Sequence, residues 1–219
     1  MKNSKEDNNL CTLYIVRHGE TEWNAKGITQ GQSDSILTEN GIEQAKTTAN
    51  ILKDIHFDAI FSSDLIRTKH TTEIIKLDRD ILIQTSKLLR ERTYGDFETK
   101  HGDEFKEAIK EKLKERENLS DEENWKLRLA NGVETDEEVI TRFLIQLREI
   151  SIAYPNKAVL VTTHAGPMKM LLLKLGYTNR KEMSAFYLKN AGYIKVLSDG
   201  INFFIKEVVG VSKPKGSDN

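Results

Sequence analysis

Leu13-Tyr14-Ile15-Val16-Arg17-His18-Gly19-Glu20-Thr21-Glu22-Trp23-Asn24 is the stretch that decides the fold of this chain. Its apolar run, 13–16, predicts a buried strand, and Gly19 predicts the turn by which the backbone leaves that strand. Arg17 and His18 then fall at the carboxyl end of a central strand, where open α/β sheets bind ligands. A guanidinium beside an imidazole at that position predicts a site for an anion.

The composition of the chain indicates one medium-sized domain with a charged surface. Of its 219 residues, 38% are hydrophobic, which is enough for a core without disulfides or metals. The net charge of -1 argues against binding nucleic acid through bulk charge. Cys11 has no second cysteine to pair with, and no run reaches the roughly 18 apolar residues of a membrane span. We therefore expect a cytoplasmic protein that binds neither nucleic acid nor membranes.

Short apolar runs alternate with helical patterns along the chain, which predicts a three-layer α/β/α sandwich with a mostly parallel central sheet. Strands are predicted at 13–16, 57–61, 81–84, 158–163, 193–197 and 202–208. We expect Thr38 and the Thr135–Glu138 capping box to begin helices, and Asp64 to cap the helix that follows it. The charged segment 103–130 predicts a solvated helix with i,i+4 ion pairs, or alternatively a mobile lid. A single domain, 10–211, is expected between disordered tails at 1–9 and 212–219.

Polar side chains follow four of the predicted strands. Because the carboxyl ends of parallel strands share one edge of a sheet, we expect these groups to meet in a single crevice. They are Arg17 and His18; Ser62, Ser63 and Arg67; Arg90, Glu91 and Arg92; and Thr163 and His164. The sequence thus gathers two imidazoles, several guanidiniums and one carboxylate.

This set of groups suits phosphoryl transfer through a phosphohistidine. Guanidiniums bind phosphate oxygens, an imidazole can attack phosphorus, and a second imidazole can donate to the equatorial oxygens. A carboxylic acid can protonate the leaving oxygen and then deprotonate a water molecule. The sequence has no zinc-ligand spacing, Walker A loop or G-x-S-x-G elbow that would indicate another chemistry.

Five motifs over residues 12–208 resemble the histidine phosphatase superfamily, also called phosphoglycerate mutase-like proteins. The motifs are Arg17-His18-Gly19-Glu20-Thr21 followed by Asn24; Gln30-Gly31 with Asp34, Leu37, Thr38, Gly41, Gln44 and Ala45; Ser62 to Thr68; Leu89, Glu91, Gly95, Asp96 and Glu98; and Thr163-His164. The resemblance implies a phosphoglycerate mutase-like fold in which His18 is the nucleophile, Glu91 the acid/base, and His164 also catalytic. It further implies a phosphate pocket made of Arg17, Arg67, His164, Asn24 and Gln30. Thr21, Arg92 and Tyr94 are expected to bind substrate, with 100–131 as a variable helical cap.

The resemblance covers both phosphatases and mutases. Glu91-Arg92-Thr93-Tyr94-Gly95 looks like the E-R-H-Y-G of the bisphosphoglycerate-dependent phosphoglycerate mutases, with threonine in place of histidine. The segment after it is shorter than in those mutases and offers only Arg116 and Arg128 where they have a paired-arginine clamp. We therefore expect a metal-independent phosphoric monoester hydrolase of the histidine acid phosphatase type, without a cofactor, that acts on small phosphorylated metabolites.

Two alternatives remain open. One is a phosphoglycerate mutase primed by 2,3-bisphosphoglycerate, and the other is a phospho-ligand binding module without enzymatic activity. The family's frequent dimers also make a homodimer an expectation to test.

Overall fold

The computed structural model describes residues 9–183 and 187–212 of the chain. Within these ranges six strands are present: β1 Cys11–Arg17, β2 Ala59–Ser63, β3 Ile83–Ser86, β4 Ala158–Thr163, β5 Tyr187–Ser198 and β6 Phe203–Ser212. The same ranges contain nine α-helices: α1 Glu22–Ala25, α2 Glu39–Ile51, α3 Ile66–Lys76, α4 Gly102–Ala108, α5 Lys110–Arg116, α6 Asp121–Lys126, α7 Asp136–Ala153, α8 Ala165–Lys174 and α9 Arg180–Met183. Short 3₁₀ helices cover Lys87–Leu89 and Gly95–Phe97.

The six strands form one sheet in the order β3-β2-β4-β1-β5-β6. Strands β1 to β4 are mutually parallel, whereas β5 pairs antiparallel with β1, and β6 antiparallel with β5. The predicted α/β fold with a mostly parallel sheet is therefore confirmed. Because β1 lies between β4 and β5, the strand that carries Arg17 is central, and the carboxyl ends of β1 to β4 share one edge.

Strand β1 is buried on both faces, which explains its continuous apolar run. Leu13 and Ile15 pack in a cluster with side chains of α7 and α8, such as Phe143 and Leu171. Tyr14 and Val16 point to the opposite face and belong to a second cluster with Ala49 of α2, Leu52 directly after α2, and Ile75 of α3. Each fully buried side chain of this size contributes about 1.5–3 kcal/mol of hydrophobic stabilisation. The two clusters make the sheet the middle of three layers.

The observed helix caps agree with the sequence prediction at two helices and differ from it at a third. Thr38 accepts from the Gly41 amide at 2.9 Å, and the predicted capping box starts α7. The prediction that Asp64 caps α3 was wrong. Asp34, thirty residues upstream, accepts from the Ile66 amide at 2.6 Å instead. Asp64 is not available because both of its carboxylate oxygens accept from Arg90, each at 2.7 Å.

The charged segment forms three short helices, α4 to α6, where one solvated helix was predicted. Its surface ion pairs are mostly i,i+3, as between Lys106 and Asp103 at 2.8 Å, although Lys126 and Glu122 form an i,i+4 pair. The two final strands are longer than predicted and are joined through Gly200, whose φ is +89°. Residues 1–8 and 213–219 lie outside the described residues, so the disordered tails stay a prediction.

None of the helices within the described residues combines the length and the apolar character needed to cross a bilayer.

Candidate active site

A cavity of about 270 Å³ opens at the carboxyl edge of the sheet, beyond the ends of β1 and β2. It is lined by Arg17, His18, Asn24, Ile28, Thr29, Gln30, Gly31, Arg67, Glu91, Tyr94, Gly102, Phe105 and Lys106. Seven of the ten residues predicted for the site are in this lining. The other three, Thr21, Arg92 and His164, are not part of the lining.

His18 follows β1 directly and is 3% exposed. Its Nδ1 lies 2.7 Å from the carbonyl oxygen of Gly19. Because a carbonyl oxygen only accepts hydrogen bonds, we assign the ring proton to Nδ1, which leaves the lone pair on Nε2. Burial, reinforced by the charges of Arg67 and Arg17, lowers the pKa of His18 well below its ordinary value. The ring is therefore neutral at physiological pH and carries its lone pair on Nε2.

Two glycines allow the backbone after His18 to reach this position. A Cβ on Gly19 would lie 2.4 Å from the carbonyl oxygen of Gly41, and a Cβ on Gly41 would lie 2.0 Å from the carbonyl oxygen of Glu20. The loop after β1 thus packs backbone to backbone on the first turn of α2. Both close contacts require the absence of a side chain. The glycines of two separate motifs in the sequence consequently meet in one contact.

His164 follows β4 and is completely buried. Its ring centroid lies 5.2 Å from that of His18, and its Nε2 is 3.0 Å from the hydroxyl oxygen of Ser63. Burial, together with the charges of Arg67 and the proximity of His18, lowers the pKa of His164 well below its ordinary value. Its Nδ1 has no hydrogen-bond partner among the described residues. The second imidazole is thus neutral and adjacent to the first.

Two buried guanidiniums supply the positive charge of the cavity. Arg17 donates from Nη1 to the carbonyl of Leu188. Arg67, 1% exposed, donates from Nη1 to the carbonyl oxygen of Ser33 at 2.7 Å and from Nη2 to the carbonyl oxygen of Gly31 at 2.7 Å. Burial lowers the pKa of both arginines, but the ordinary value is so high that both remain cations. Their Nε atoms have no partner within the part of the chain described, and are donors suited to an anion.

Glu91 is fixed by two backbone amides rather than by an arginine. Oε1 accepts from the amide of Arg92 at 2.7 Å, and Oε2 accepts from the amide of Gly166 at 3.0 Å. Gly166 lies in the first turn of α8, and a Cβ there would lie 2.1 Å from Oε1. The carboxylate thus occupies the space that the missing side chain of Gly166 leaves.

Asn24 and Gln30 line the cavity, and both contact the hydroxyl group of Thr21, which is not part of the lining. Thr21 is fully buried, caps α1, and its hydroxyl oxygen accepts from Nε2 of Gln30 at 2.8 Å. Oδ1 of Asn24 lies 3.1 Å from the same hydroxyl and also accepts from Asn190 at 3.3 Å. The contacts of Thr21 are therefore with cavity side chains rather than with the cavity itself.

Tyr94 and Arg92, both predicted to bind substrate, lie in different places. Tyr94 lines the cavity, packs edge-on against Phe105 with ring centroids 5.0 Å apart, and has its pKa raised to about 12 by burial. Arg92 is buried and donates to Asp136 at 2.5 Å. Arg92 thus faces an ion-pair cluster outside the lining.

The cluster around Asp136 joins three parts of the chain. Besides Arg92, this carboxylate accepts from Arg116 of α5 and from Arg180 of α9, the latter at 2.7 Å. Although burial opposes ionisation, the three guanidiniums hold the pKa of Asp136 below its ordinary value. The Glu91 loop, the charged segment and α9 are consequently tied to the first residue of α7.

Sequence reasoning missed seven contributors to this site: Gly166 beside Glu91 and six residues of the lining, namely Ile28, Thr29, Gly31, Gly102, Phe105 and Lys106. Phe105 belongs to the narrow apolar stripe of the charged segment, and this stripe was the available signal. Nothing in the local sequence distinguished a stripe that faces a cavity from one that faces a helix. Among the described residues, no three His, Cys, Asp or Glu side chains are grouped as metal ligands.

Comparisons with known proteins identify relatives of this chain among phosphatases and phosphoglycerate mutases. The chain is 33% identical to the uncharacterized phosphatase PhoE of Bacillus subtilis over 166 residues, which are 76% of this chain and 78% of that protein. It is 42% identical to the probable phosphoglycerate mutase GpmB of Escherichia coli over 123 residues, 56% of this chain and 51% of GpmB, so this match spans about half of that relative.

Among solved structures, a mutant phosphoserine phosphatase from Entamoeba histolytica in complex with phosphoserine superimposes with a TM-score of 0.75 at 26% identity. The superposition covers 91% of this chain and 96% of that chain. The sequence profile of the histidine phosphatase superfamily (branch 1) matches residues 13–209. This match spans nearly the whole chain and confirms the resemblance seen in the motifs, so the protein is a member of the histidine phosphatase superfamily.

Proposed function

We propose that the protein is a phosphatase that hydrolyses small phosphomonoesters through a phosphohistidine at His18. The observation that carries this proposal is the state of the His18 ring, whose Nδ1 donates to Gly19 at 2.7 Å. Burial beside two guanidiniums keeps the ring neutral. A neutral imidazole with its lone pair on Nε2 is the form that attacks phosphorus.

In the first step, Nε2 of His18 attacks the phosphorus of the substrate. A P–N bond forms while the bond from phosphorus to the alcohol oxygen breaks, and Glu91 in its acid form gives its proton to that oxygen. Arg17 and Arg67 balance the charge on the equatorial oxygens. For His164, whose ring centroid lies 5.2 Å from that of His18, we take the Ser63 hydroxyl to donate to Nε2, so that the ring proton is on Nδ1, the atom without a partner among the described residues, and is available for the phosphoryl group.

In the second step, the Glu91 carboxylate takes a proton from a water molecule, whose oxygen attacks the phosphohistidine. The P–N bond breaks, inorganic phosphate leaves, and His18 and protonated Glu91 are restored. Neither step requires a metal ion or an organic cofactor.

A phosphoglycerate mutase is the second candidate, favoured by the 42% identity to the probable mutase. A mutase must hold its substrate's carboxylate while the phosphoryl group returns to it. The two arginines of the charged segment serve other partners, because Arg116 donates to Asp136 and Arg128 donates to Glu138 at 2.6 Å. These ion pairs support the phosphatase.

The fate of 3-phosphoglycerate separates the two candidates. Incubation with and without 2,3-bisphosphoglycerate, followed by product analysis, is expected to give glycerate and inorganic phosphate in both cases. Formation of 2-phosphoglycerate in the primed reaction would establish the mutase instead. Parallel assays with phosphoserine and other phosphorylated metabolites, compared by kcat/KM, would then rank the substrates.

The nucleophile is tested with His18→Ala, and with His56→Ala as the matched control because the His56 side chain is 90% exposed. We expect His18→Ala to lose at least about 10³-fold in kcat/KM on p-nitrophenyl phosphate. The control and an added chelator are expected to leave the rate unchanged. Saturable binding of phosphorylated ligands by wild-type protein without any turnover would support the binding module in place of an enzyme.

A further inference from the structure

Arg142 of α7 holds the backbone of the loop that carries Glu91. The loop, residues 88–93, begins within the 3₁₀ turn Lys87–Leu89 and has no regular secondary structure over residues 90–93. Nη1 of Arg142 donates to the carbonyl oxygens of Leu88 at 3.0 Å and Arg90 at 2.6 Å. Nη2 donates to the carbonyl oxygen of Glu91 at 2.9 Å. One guanidinium thus binds three of four consecutive carbonyl groups.

Glu134 holds this guanidinium from its other edge. Its Oε1 accepts from Nε of Arg142 at 2.8 Å, and its Oε2 accepts from Nη2 at 2.9 Å. Oε2 also accepts from the amide of Thr93, two residues beyond Glu91, at 2.9 Å. The side chains of Arg142 and Glu134 are only 15% and 17% exposed, so water competes little for these bonds.

The contacts use every donor that an arginine has. Five N–H groups point in fixed directions in the plane of a guanidinium, and here three meet carbonyl oxygens and two meet a carboxylate. A lysine at 142 would keep the charge but offers one ammonium group without this planar fork. The arrangement therefore depends on the shape of Arg142 as well as on its charge.

We propose that Arg142 is a positioning residue that sets the place of the Glu91 carboxyl group relative to the leaving oxygen. This inference rests on the proposed function, because it takes Glu91 as the acid. The carboxylate itself accepts from Arg92 and Gly166 amides, but these bonds fix its orientation only if the loop backbone is in place. General-acid catalysis is sensitive to displacements of about 1 Å, which can cost roughly 10²-fold in rate.

The test compares Arg142→Lys with wild type on two aryl phosphates. Dinitrophenolate leaves without a proton, whereas the phenolate of phenyl phosphate needs one, and kcat/KM reports the step in which the leaving group departs. We expect Arg142→Lys to lose about 10²-fold on phenyl phosphate and less than about tenfold on 2,4-dinitrophenyl phosphate. Equal losses on both substrates, or no loss, would overturn the proposal.

Arg79→Lys is the matched control. Nη2 of Arg79 likewise donates to three backbone carbonyl oxygens, those of Leu52, Lys53 and Ile55, but in a loop remote from the cavity. It is expected to leave the ratio of the two kcat/KM values unchanged. If urea unfolding shows that Arg142→Lys does not fold, Glu134→Gln takes its place in the test. We expect Glu134→Gln to show the same selective loss on phenyl phosphate, but a smaller one. An unchanged ratio of the two kcat/KM values in this variant would overturn the proposal.

Glu91→Gln separates failure of the inference from failure of the proposed function. If Glu91 is the acid, this variant loses activity selectively on phenyl phosphate. A selective loss in Glu91→Gln without one in Arg142→Lys refutes only the positioning role. No selective loss in Glu91→Gln refutes the role of Glu91 itself.

Discussion

Gly166→Ala places a methyl group where the proposed acid lies. A Cβ on this residue would lie 2.1 Å from Oε1, 3.1 Å from Cδ and 3.5 Å from Oε2 of Glu91, and these are its three nearest neighbours. Its φ is not positive, and the residue lies within α8, so the backbone accepts alanine without strain. The substitution consequently acts on one side chain and leaves the fold alone.

The size of the effect follows from these distances. The carboxylate must withdraw by about 1 Å to regain ordinary van der Waals separation, and it loses the 3.0 Å bond from the Gly166 amide. A displacement of this size at a proton-transfer group costs roughly 10²-fold, or about 2.7 kcal/mol in transition-state free energy. Alanine in place of glycine in a helix favours folding by up to about 1 kcal/mol. We therefore expect kcat/KM on phenyl phosphate to fall while Tm stays level or rises.

The assay measures kcat/KM and Tm for wild type, Gly166→Ala, Glu91→Asp and the double variant. Aspartate is shorter by one methylene, so the methyl group is expected to cost less in the Glu91→Asp background. Gly176→Ala is a contrasting control. Its φ of +71° strains alanine, but no atom lies near its Cβ, so stability should fall without loss of activity. A Gly166→Ala enzyme within about threefold of wild type would refute the placement of the acid beside Gly166.

Three further predictions test burial and charge. The pKa values of His18 and His164 are depressed in the folded protein, so their contribution to stability is present above about pH 6.5 and is lost below it, by up to about 1.4 kcal/mol per pH unit for each ring. When the free energy of unfolding is measured with urea at several pH values below about 6.5, its slope against pH should be shallower in His164→Gln than in wild type. Asp136→Asn should lower the free energy of unfolding, measured by urea denaturation, by about 3–5 kcal/mol. Asp121→Asn, at a side chain that is 92% exposed, should lower it by less than about 1 kcal/mol. Burial raises the pKa of Cys11 to about 12, so mass spectrometry should find it alkylated by iodoacetamide only after unfolding; rapid labelling of the native protein would contradict this.

The local sequence was sufficient to predict the six strands and the polar groups that follow β1, β2 and β4. A fully apolar run that ends in Arg17 and His18 has few interpretations, because a buried strand must be followed by polar groups where it leaves the core. Parallel topology then brings the ends of β1, β2 and β4 together, so His164 and Arg67 could be expected near His18 from strand direction alone. These predictions needed only strand direction and residue type.

Roles that depend on competition between partners could not be predicted in this way. Asp64 lies at the sequence position of a helix cap, but both of its carboxylate oxygens accept from Arg90. The amide of Ile66 in the first turn of α3 donates to Asp34 instead. Arg92 stands beside Glu91 in the sequence, yet Asp136 binds its guanidinium outside the cavity lining. In each case several partners of suitable charge exist along the chain, and only the packing of distant segments selects one.

The sequence by itself therefore determined the mostly parallel sheet and the set of polar groups at its carboxyl edge, because strand periodicity and residue type are local properties. The tertiary structure decided how Glu91 is held, through the missing side chain of Gly166 and the five donors of Arg142. It also decided which side of the charged segment faces the cavity. These outcomes depend on distances of a few ångströms between segments that are far apart in the chain, and such distances are fixed only when the layers pack.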